Sequence, residues 1–195
     1  MFLHPAPDSE ATASLYQSDI YERGHVMNLT RVWAWGPEVS EGFSVLRNQL
    51  TSNSSLSPRE LAVIVCATAA SVGDSYCALA WGTVLASRAD AETAAAVLQH
   101  AEDADLTPRD NALRTWARKV VSNPSTTTAQ DVQALRDAGF TEREIFEATA
   151  FIAFRIAFST INGALGAQPD WQVAQAAPTP VRNAVRYGRP STQRA

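Results

Sequence analysis

The chain has 195 residues, of which 46% are hydrophobic and 18% charged, and its formal net charge is −4 at pH 7. A chain of this size and composition can bury a sizeable core, which indicates an ordinary globular protein organised as a single domain. The net negative charge gives no indication of a basic surface that would bind nucleic acid or an anionic membrane. We therefore expect neither nucleic acid nor a membrane as a partner.

Cysteine and histidine are scarce, with only Cys66 and Cys77 and three histidines, none of which adjoins a cysteine. Two cysteines do not form a disulfide framework, and this set of residues predicts no metal site and no cofactor. The first residues lack the pattern of a signal peptide, and no apolar run reaches membrane-spanning length without a polar break. We expect a cytoplasmic protein.

The N-terminal segment, residues 1–55, predicts helices that serve as packing elements. The helical patterns cover residues 8–23, 26–35 and 38–51, and turn residues end them. Trp33 and Trp35 lie in the second helix, where core or interface filling is favoured over the lining of a pocket.

A strong helix start opens the predicted core, residues 56–168. Ser57 is placed as the N-cap, Pro58 as the first helical residue and Glu60 as the third residue of a capping box. The helix that follows, to Val72, is apolar nearly all round and should be central and buried. Cys66 is most simply a core residue of this helix.

The segment from Gly73 to Gly82 joins this helix to the next one, which reaches about Arg88. Asp74 follows a helix-breaking glycine and is a good N-cap, so Cys77 falls in the first turn, where the helix dipole favours a thiolate. Asp74 opposes this effect by its negative charge, and Trp81 can cover and desolvate the thiol. Two interpretations stay open, a reactive Cys77 and a buried structural one.

Cys66 precedes Cys77 by eleven residues. In one continuous helix this spacing corresponds to a rise of roughly 16 Å, which is beyond disulfide reach. A bend at Gly73 alters the distance without creating a vicinal pair.

Further helices are predicted over residues 91–101, 109–122, 128–138, 141–164 and around 180–187. Ala80, Gly82 and Ala86 form a small-residue face that permits close helix packing. No stretch alternates with period two over enough residues to suggest a strand, so the predicted fold class is all-α. The C-terminal tail, residues 169–195, is expected to fray at its end.

The helix over residues 141–164 is rich in aromatic residues and must be enclosed by other helices or by another subunit. We expect a homo-oligomer, with the faces around Phe151 to Phe158 as the contact. Arg155 is the only charge between Glu147 and the end of this helix. A buried arginine needs a carboxylate partner or an anionic ligand, and the sequence leaves both open.

Three blocks carry a resemblance to a known family: residues 56–82, from Leu56-Ser57-Pro58-Arg59 to Gly82, residues 135–141, and Gly163-Ala164-Leu165-Gly166. They resemble the alkylhydroperoxidase-like, or carboxymuconolactone decarboxylase, family, in particular its peroxidase-related members. The resemblance implies an alkylhydroperoxidase-like helical bundle assembled into a homo-oligomer. It also implies, for the redox-active members, a glutamate, a C-x-x-C pair and a histidine that relay protons while the thiols reduce a hydroperoxide.

The catalytic residues of the family transfer only in part. An ungapped alignment puts Ala62 at the glutamate, Asp74 at the first cysteine, Cys77 at the second and Trp81 at the histidine. The resemblance therefore implies that the peroxide-attacking thiol, Cys77, is present without its resolving partner and its base. Glu60, half a turn from Ala62, is a candidate replacement for the missing glutamate.

Three functions are compatible with these residues. The first is a thiol-dependent peroxidase-like oxidoreductase with a degenerate C-x-x-C site, in which Cys77 attacks a small hydroperoxide and an external thiol reduces it. The second is a decarboxylase, lyase or isomerase that uses Asp74, Tyr76 and Arg155. The third is a catalytically inactive protein that binds a small organic ligand beside Cys77, Trp81 and Phe154.

Overall fold

The computed structural model describes residues 1–101 and 106–193, and every regular element within these ranges is helical. The α-helices are α1 (Glu10–Arg23), α2 (Asn28–Trp33), α3 (Pro37–Ser52), α4 (Pro58–Val72), α5 (Ser75–Arg88), α6 (Ala91–Gln99), α7 (Pro108–Ser122), α8 (Ala129–Asp137), α9 (Glu142–Ala164), α10 (Trp171–Ala176) and α11 (Thr179–Ala184), with a 3₁₀ turn at Pro124–Thr126. The predicted all-α class is confirmed. None of the described helices has the length and apolar character to cross a membrane.

Helix α4 is the centre of the fold and packs against α5, α6, α7 and α9. Residues 61–69 are buried along its whole circumference. The predicted capping box is present, because Ser57 Oγ accepts the Glu60 N–H at 3.3 Å and Glu60 Oε2 accepts the Ser57 N–H at 2.7 Å. A helix that is apolar on all sides must be covered on all sides. Here the four neighbouring helices cover α4.

The chain reverses between α4 and α5 rather than continuing as one helix. Gly73 ends α4 in the left-handed conformation, with φ 72°, and Asp74 Oδ1 accepts the Cys77 N–H at 3.0 Å to start α5. Helix α5 then packs on α4. The 16 Å estimate for a continuous helix therefore does not apply, and the Cys77 thiol is near enough to add to the elevation of the pKa of Cys66. Both cysteines are free.

The prediction that the C-terminal tail frays is wrong for the part that the structure describes. Val181 is fully buried, and Ser75 Oγ donates a hydrogen bond to the Arg189 carbonyl at 2.7 Å. Gly188 lies so close to the α4–α5 turn that a Cβ there would stand 2.5 Å from the Gly73 carbonyl oxygen. The tail thus supports the turn that carries Cys77.

The aromatic residues of α9 are only partly enclosed. Phe151 and Phe154 are buried inside the monomer, whereas Phe146 is 71% exposed. The ring of Phe154 packs at 5.5 Å from that of Phe43 on α3. The contact expected around Phe151 to Phe158 stays a prediction: the chain itself covers Phe151 and Phe154, but Ala153 and Ala157 of the same segment are exposed.

The predicted small-residue face of α5 is used at Gly82. A Cβ built there would lie 2.6 Å from Val181 Cγ1 on α11 and 2.9 Å from Leu98 Cδ1 on α6. We expect Gly82→Ala to lower the free energy of unfolding by about 1–3 kcal/mol through overpacking. Equilibrium unfolding in urea measures the change.

Gly163→Ala is the matched control, because a Cβ at this helical position meets no atom within 4 Å. It should raise stability by about 0.5–1 kcal/mol through helix propensity alone. Equal effects of the two substitutions would contradict the close approach at Gly82.

Candidate functional site

A cavity of about 380 Å³ opens between α1, α2, α3, α5 and α9. Its size lies in the range of small-molecule sites. The charged residues that line it toward the surface are Asp19, Glu22, Arg23 and Arg47. Cys77 and Arg155 line its interior, and both are 4% exposed.

Aromatic rings form much of the cavity wall. They belong to Trp33, Phe43, Tyr76, Trp81, Phe154 and Phe158. Trp33 stacks on Phe158 with ring centroids 5.2 Å apart, and its Nε1–H donates to Asn162 Oδ1 at 2.8 Å. This hydrogen bond fixes the indole, so the wall presents a rigid, flat surface suited to a planar ligand.

The Cys77 thiol has a defined polar environment. Arg155 Nη2 donates to Sγ at 2.9 Å, which brings together two residues 78 positions apart in the chain. Burial raises the pKa of the Cys77 thiol to about 12, with the charge and hydrogen bond of Asp74 acting in the same direction and Arg155 and Ser159 opposing. The resting sulfur is therefore a protonated thiol at neutral pH, and it accepts the hydrogen bond from Arg155.

Arg155 has no carboxylate partner among the described residues, so the ion pair that the sequence left open is not formed there. Its guanidinium carbon lies 4.9 Å from the ring centroid of Phe158 and 5.6 Å from that of Trp81. Its Nε–H is buried without a hydrogen-bond acceptor in the described part of the chain. The cavity interior thus contains a cation that aromatic rings and a thiol satisfy only in part.

Tyr76 lines the cavity, but its hydroxyl is already engaged. It donates to Asp170 Oδ2, and Asp170 Oδ1 also accepts the Asn28 N–H at 3.1 Å. Burial and the Asp170 carboxylate raise the pKa of Tyr76 above its usual range. The sequence reasoning missed Asp170, whose only signal was its place before a short helix at Trp171.

Glu60 is the one predicted site residue that the structure places elsewhere. Oε2 closes the capping box, and Oε1 accepts Arg109 Nε–H at 2.6 Å. Arg109 Nη2 in turn contacts Glu144 Oε1 at 2.7 Å. Glu60 does not line the cavity, whereas Asp74, Cys77, Trp81, Tyr76, Phe154 and Arg155 are in it or hydrogen-bonded to it.

The described residues contain no group of three or more histidine, cysteine, aspartate and glutamate side chains placed to hold a metal ion. The chemistry that the cavity offers is that of a thiol beside a carboxylate and a guanidinium.

Solved structures show the same architecture as this chain. One is the alkylhydroperoxidase AhpD core of an uncharacterized peroxidase-related protein from Ralstonia eutropha JMP134, with a TM-score of 0.78, 24% identity, and coverage of 87% of this chain and 93% of that one. A second is an uncharacterized peroxidase-related protein from Silicibacter sp. TM1040, with a TM-score of 0.76, 20% identity, and coverage of 89% and 91%. No family model and no curated protein matches the chain.

A third structure is the debrominase Bmp8, for which a cysteine-to-alanine variant in complex with 2,3,4-tribromopyrrole has a TM-score of 0.69 and 14% identity, covering 95% of this chain and 97% of that one. At these identities the similarity shows the fold. The chain has the alkylhydroperoxidase-like helical fold that the resemblance of its sequence blocks implied.

The thiol environment predicts how Cys77 reacts with a small alkylating reagent. Because the pKa of Cys77 is raised to about 12, its alkylation rate should still be rising with pH well above the value of about 8.5 for a free thiol. Asp74→Asn retains a good N-cap but removes the negative charge, which lowers the pKa and should speed alkylation severalfold at about pH 8. Iodoacetamide labelling followed by peptide mass spectrometry gives the rates.

Arg155→Met is the opposing variant, because loss of the guanidinium removes an effect that lowers the pKa of Cys77. Its alkylation should be slower than that of the unsubstituted protein. Cys66, with no exposed surface, serves as the internal control and should stay unlabelled. An Asp74→Asn rate profile identical to that of the parent would refute this electrostatic description.

Proposed function

We propose that this protein is a thiol-dependent oxidoreductase that reduces a small organic hydroperoxide through Cys77 alone. The observation that carries the proposal is the 2.9 Å contact between Arg155 Nη2 and Cys77 Sγ at the inner end of an aromatic cavity. A guanidinium beside a sulfur stabilises the thiolate, which is the nucleophilic form. The guanidinium stays protonated and cannot replace the base that the resemblance assigned to a histidine, so another residue must accept the thiol proton.

The first step activates the thiol. The Asp74 carboxylate is close enough for its charge to raise the pKa of the Cys77 thiol, and its Oδ2 is buried without a hydrogen-bond partner among the described residues. It is therefore the group that would receive the proton when a substrate excludes water from the cavity. Arg155 then faces a full negative charge on Sγ, and their attraction offsets the desolvation of the thiolate.

The second step transfers oxygen. Sγ attacks the terminal oxygen of the hydroperoxide, an S–O bond forms, and the O–O bond breaks. The electron pair of the O–O bond leaves on the alkoxide, which takes the proton held by Asp74 and departs as the alcohol. Cys77 is now a sulfenic acid, oxidised by two electrons.

The third step requires two equivalents of an external thiol. The first condenses with the sulfenic acid to give a mixed disulfide and water, and the second releases Cys77 as an external disulfide forms. Both cysteines are free in this structure, and the proposal assigns reduction of the sulfenic acid to the external thiol rather than to Cys66. A cytoplasmic location would supply such a reductant.

A second candidate reaction on the same site is reductive removal of a halogen from an aromatic ring. The debrominase Bmp8, in complex with 2,3,4-tribromopyrrole in its variant form, has the same fold, and the present cavity has a flat aromatic wall. The decarboxylase, lyase or isomerase alternative has less support, because the Tyr76 hydroxyl is held by Asp170. Turnover of aryl bromides, with no turnover of hydroperoxides, would select the second candidate.

The proposal is tested by turnover of cumene hydroperoxide with a small thiol as reductant. We expect Cys77→Ser to abolish thiol-dependent turnover, while Cys66→Ala retains it. Cumene hydroperoxide should be preferred over hydrogen peroxide because its ring can pack on the aromatic wall. Mass spectrometry of the oxidised protein should show Cys77 as sulfenic acid or capped by the external thiol.

Two results would contradict this reaction. Unchanged turnover in Cys77→Ser would place the chemistry elsewhere. A Cys66–Cys77 cross-linked peptide would show that a two-cysteine cycle operates, so that an external thiol need not cap Cys77.

We also propose that the protein is a homo-oligomer, with the exposed face of α9 as the contact. Helix α9 exposes Phe146 together with Ala153, Ala157 and Ala164 at helical spacing, and such a face permits close packing of a second copy. Light scattering at micromolar concentrations should give a mass well above the 21.0 kDa of one chain, and Phe146→Glu should lower it. A mass of one chain for the unsubstituted protein would contradict the proposal.

A further inference from the structure

Arg155 is a buried cation whose interactions within the described residues leave it incompletely satisfied. The thiol that contacts it is uncharged at neutral pH, since the pKa of Cys77 is raised to about 12. Its Nε–H is buried without an acceptor, and the remaining contacts are with the rings of Phe158 and Trp81. Such a charge is costly to bury unless an anion joins it.

The numbers of positive and negative side chains that line the cavity differ by one, and Arg155 accounts for the difference. Toward the surface the carboxylates of Asp19 and Glu22 are matched in number by the guanidiniums of Arg23 and Arg47. Among the residues that line the cavity, the positive charge of Arg155 is then unmatched, and the Asp74 carboxylate near Cys77 is not part of this lining. A ligand with a single negative charge balances it, whereas the second negative charge of a phosphate ester would have no positive partner in this acidic protein.

The aromatic wall beside Arg155 indicates the chemical nature of the uncharged part of the ligand. Phe158 lies under the guanidinium and stacks with Trp33 at 5.2 Å, and Phe43 lies 4.8 Å from Trp33. A planar aromatic ring gains offset or edge contacts on such a surface. The planar fork of a guanidinium matches a carboxylate in geometry as well as in charge.

We propose that the cavity binds small aromatic carboxylates, with the carboxylate on Arg155 and the ring against Trp33 and Phe158. The inference rests on the site of the proposed function and deepens it, because it assigns an aromatic ring and one anionic group to the substrate. A carboxylate on Arg155 also orients the reducible group of such a substrate toward the neighbouring Cys77 sulfur.

Binding is measured by calorimetric titration of the Cys77→Ser variant, which cannot react. The probes are benzoate, the neutral isostere benzamide, and acetate, which has the charge without the ring. We expect benzoate to bind about tenfold or more tightly than benzamide, because a charge-assisted hydrogen bond replaces a neutral one. Acetate should also bind more weakly than benzoate, because it does not contact the aromatic wall.

Arg155→Gln, made in the same background, should bind benzoate and benzamide with similar affinity. Arg155→Lys keeps the charge without the planar fork and should retain part of the preference. Arg47→Gln is the control for a cation that lines the same cavity near the surface. It should change the benzoate-to-benzamide ratio by less than about threefold, since exposed charges are screened.

Each contrary result overturns the inference. Equal affinity for benzoate and benzamide, or binding of neither, in the Cys77→Ser protein would do so without any substitution of Arg155. Loss of the preference in Arg47→Gln rather than in Arg155→Gln would place the anion at the surface. The titration is independent of catalysis, so absence of peroxidase turnover with a clear benzoate preference would reject the proposed reaction and retain the ligand class.

Discussion

The contact between the Arg155 guanidinium and the Cys77 thiol is the interaction on which the candidate site depends. It joins α9 to the first turn of α5 across the cavity, at 2.9 Å and with both side chains buried. Burying the Arg155 cation costs free energy, and the sulfur offsets part of this cost by accepting its hydrogen bond. In return, the positive charge of Arg155 opposes the rise in the pKa of the Cys77 thiol that burial causes. Much of the surrounding structure keeps the two together: the reversal at Gly73, the Asp74 cap and the Trp33–Phe158 stack.

The site also shows how one scaffold can accommodate a different set of polar residues. The resemblance implied a relay of glutamate, two cysteines and histidine, but this chain has Ala62, Asp74, Cys77 and Trp81 at those positions. The structure places the Arg155 guanidinium in contact with the remaining thiol and the Asp74 carboxylate near enough to act on its pKa. Proton acceptance and charge stabilisation are thus available to Cys77 from residues that do not belong to the family pattern.

The C-terminal segment contributes to the site through hydrogen bonds to the residues next to Cys77. Asp170 holds the Tyr76 hydroxyl and the start of α2, and the Arg189 carbonyl accepts the Ser75 hydroxyl at the start of α5. Tyr76 and Ser75 flank the turn that positions Cys77. The tail therefore supports the first turn of α5, contrary to the expectation that its end frays.

The sequence by itself determined the helices and their starts, because caps, glycine stops and apolar periodicity are local signals. Ser57 and Asp74 cap as predicted, and the central burial of α4 followed from its apolar circumference. Cys77, Trp81, Phe154 and Arg155 were also singled out, since each is unusual in its local context.

Only the tertiary structure decided what those residues do to one another. Whether Arg155 meets a carboxylate or a thiol depends on which helix faces α9, and no local signal encodes a contact between residues 78 positions apart. The same holds for Glu60, which pairs with Arg109, and for Tyr76, which is held by Asp170. Local propensity fixes where a helix begins, whereas the packing of whole helices fixes which side chains share a cavity.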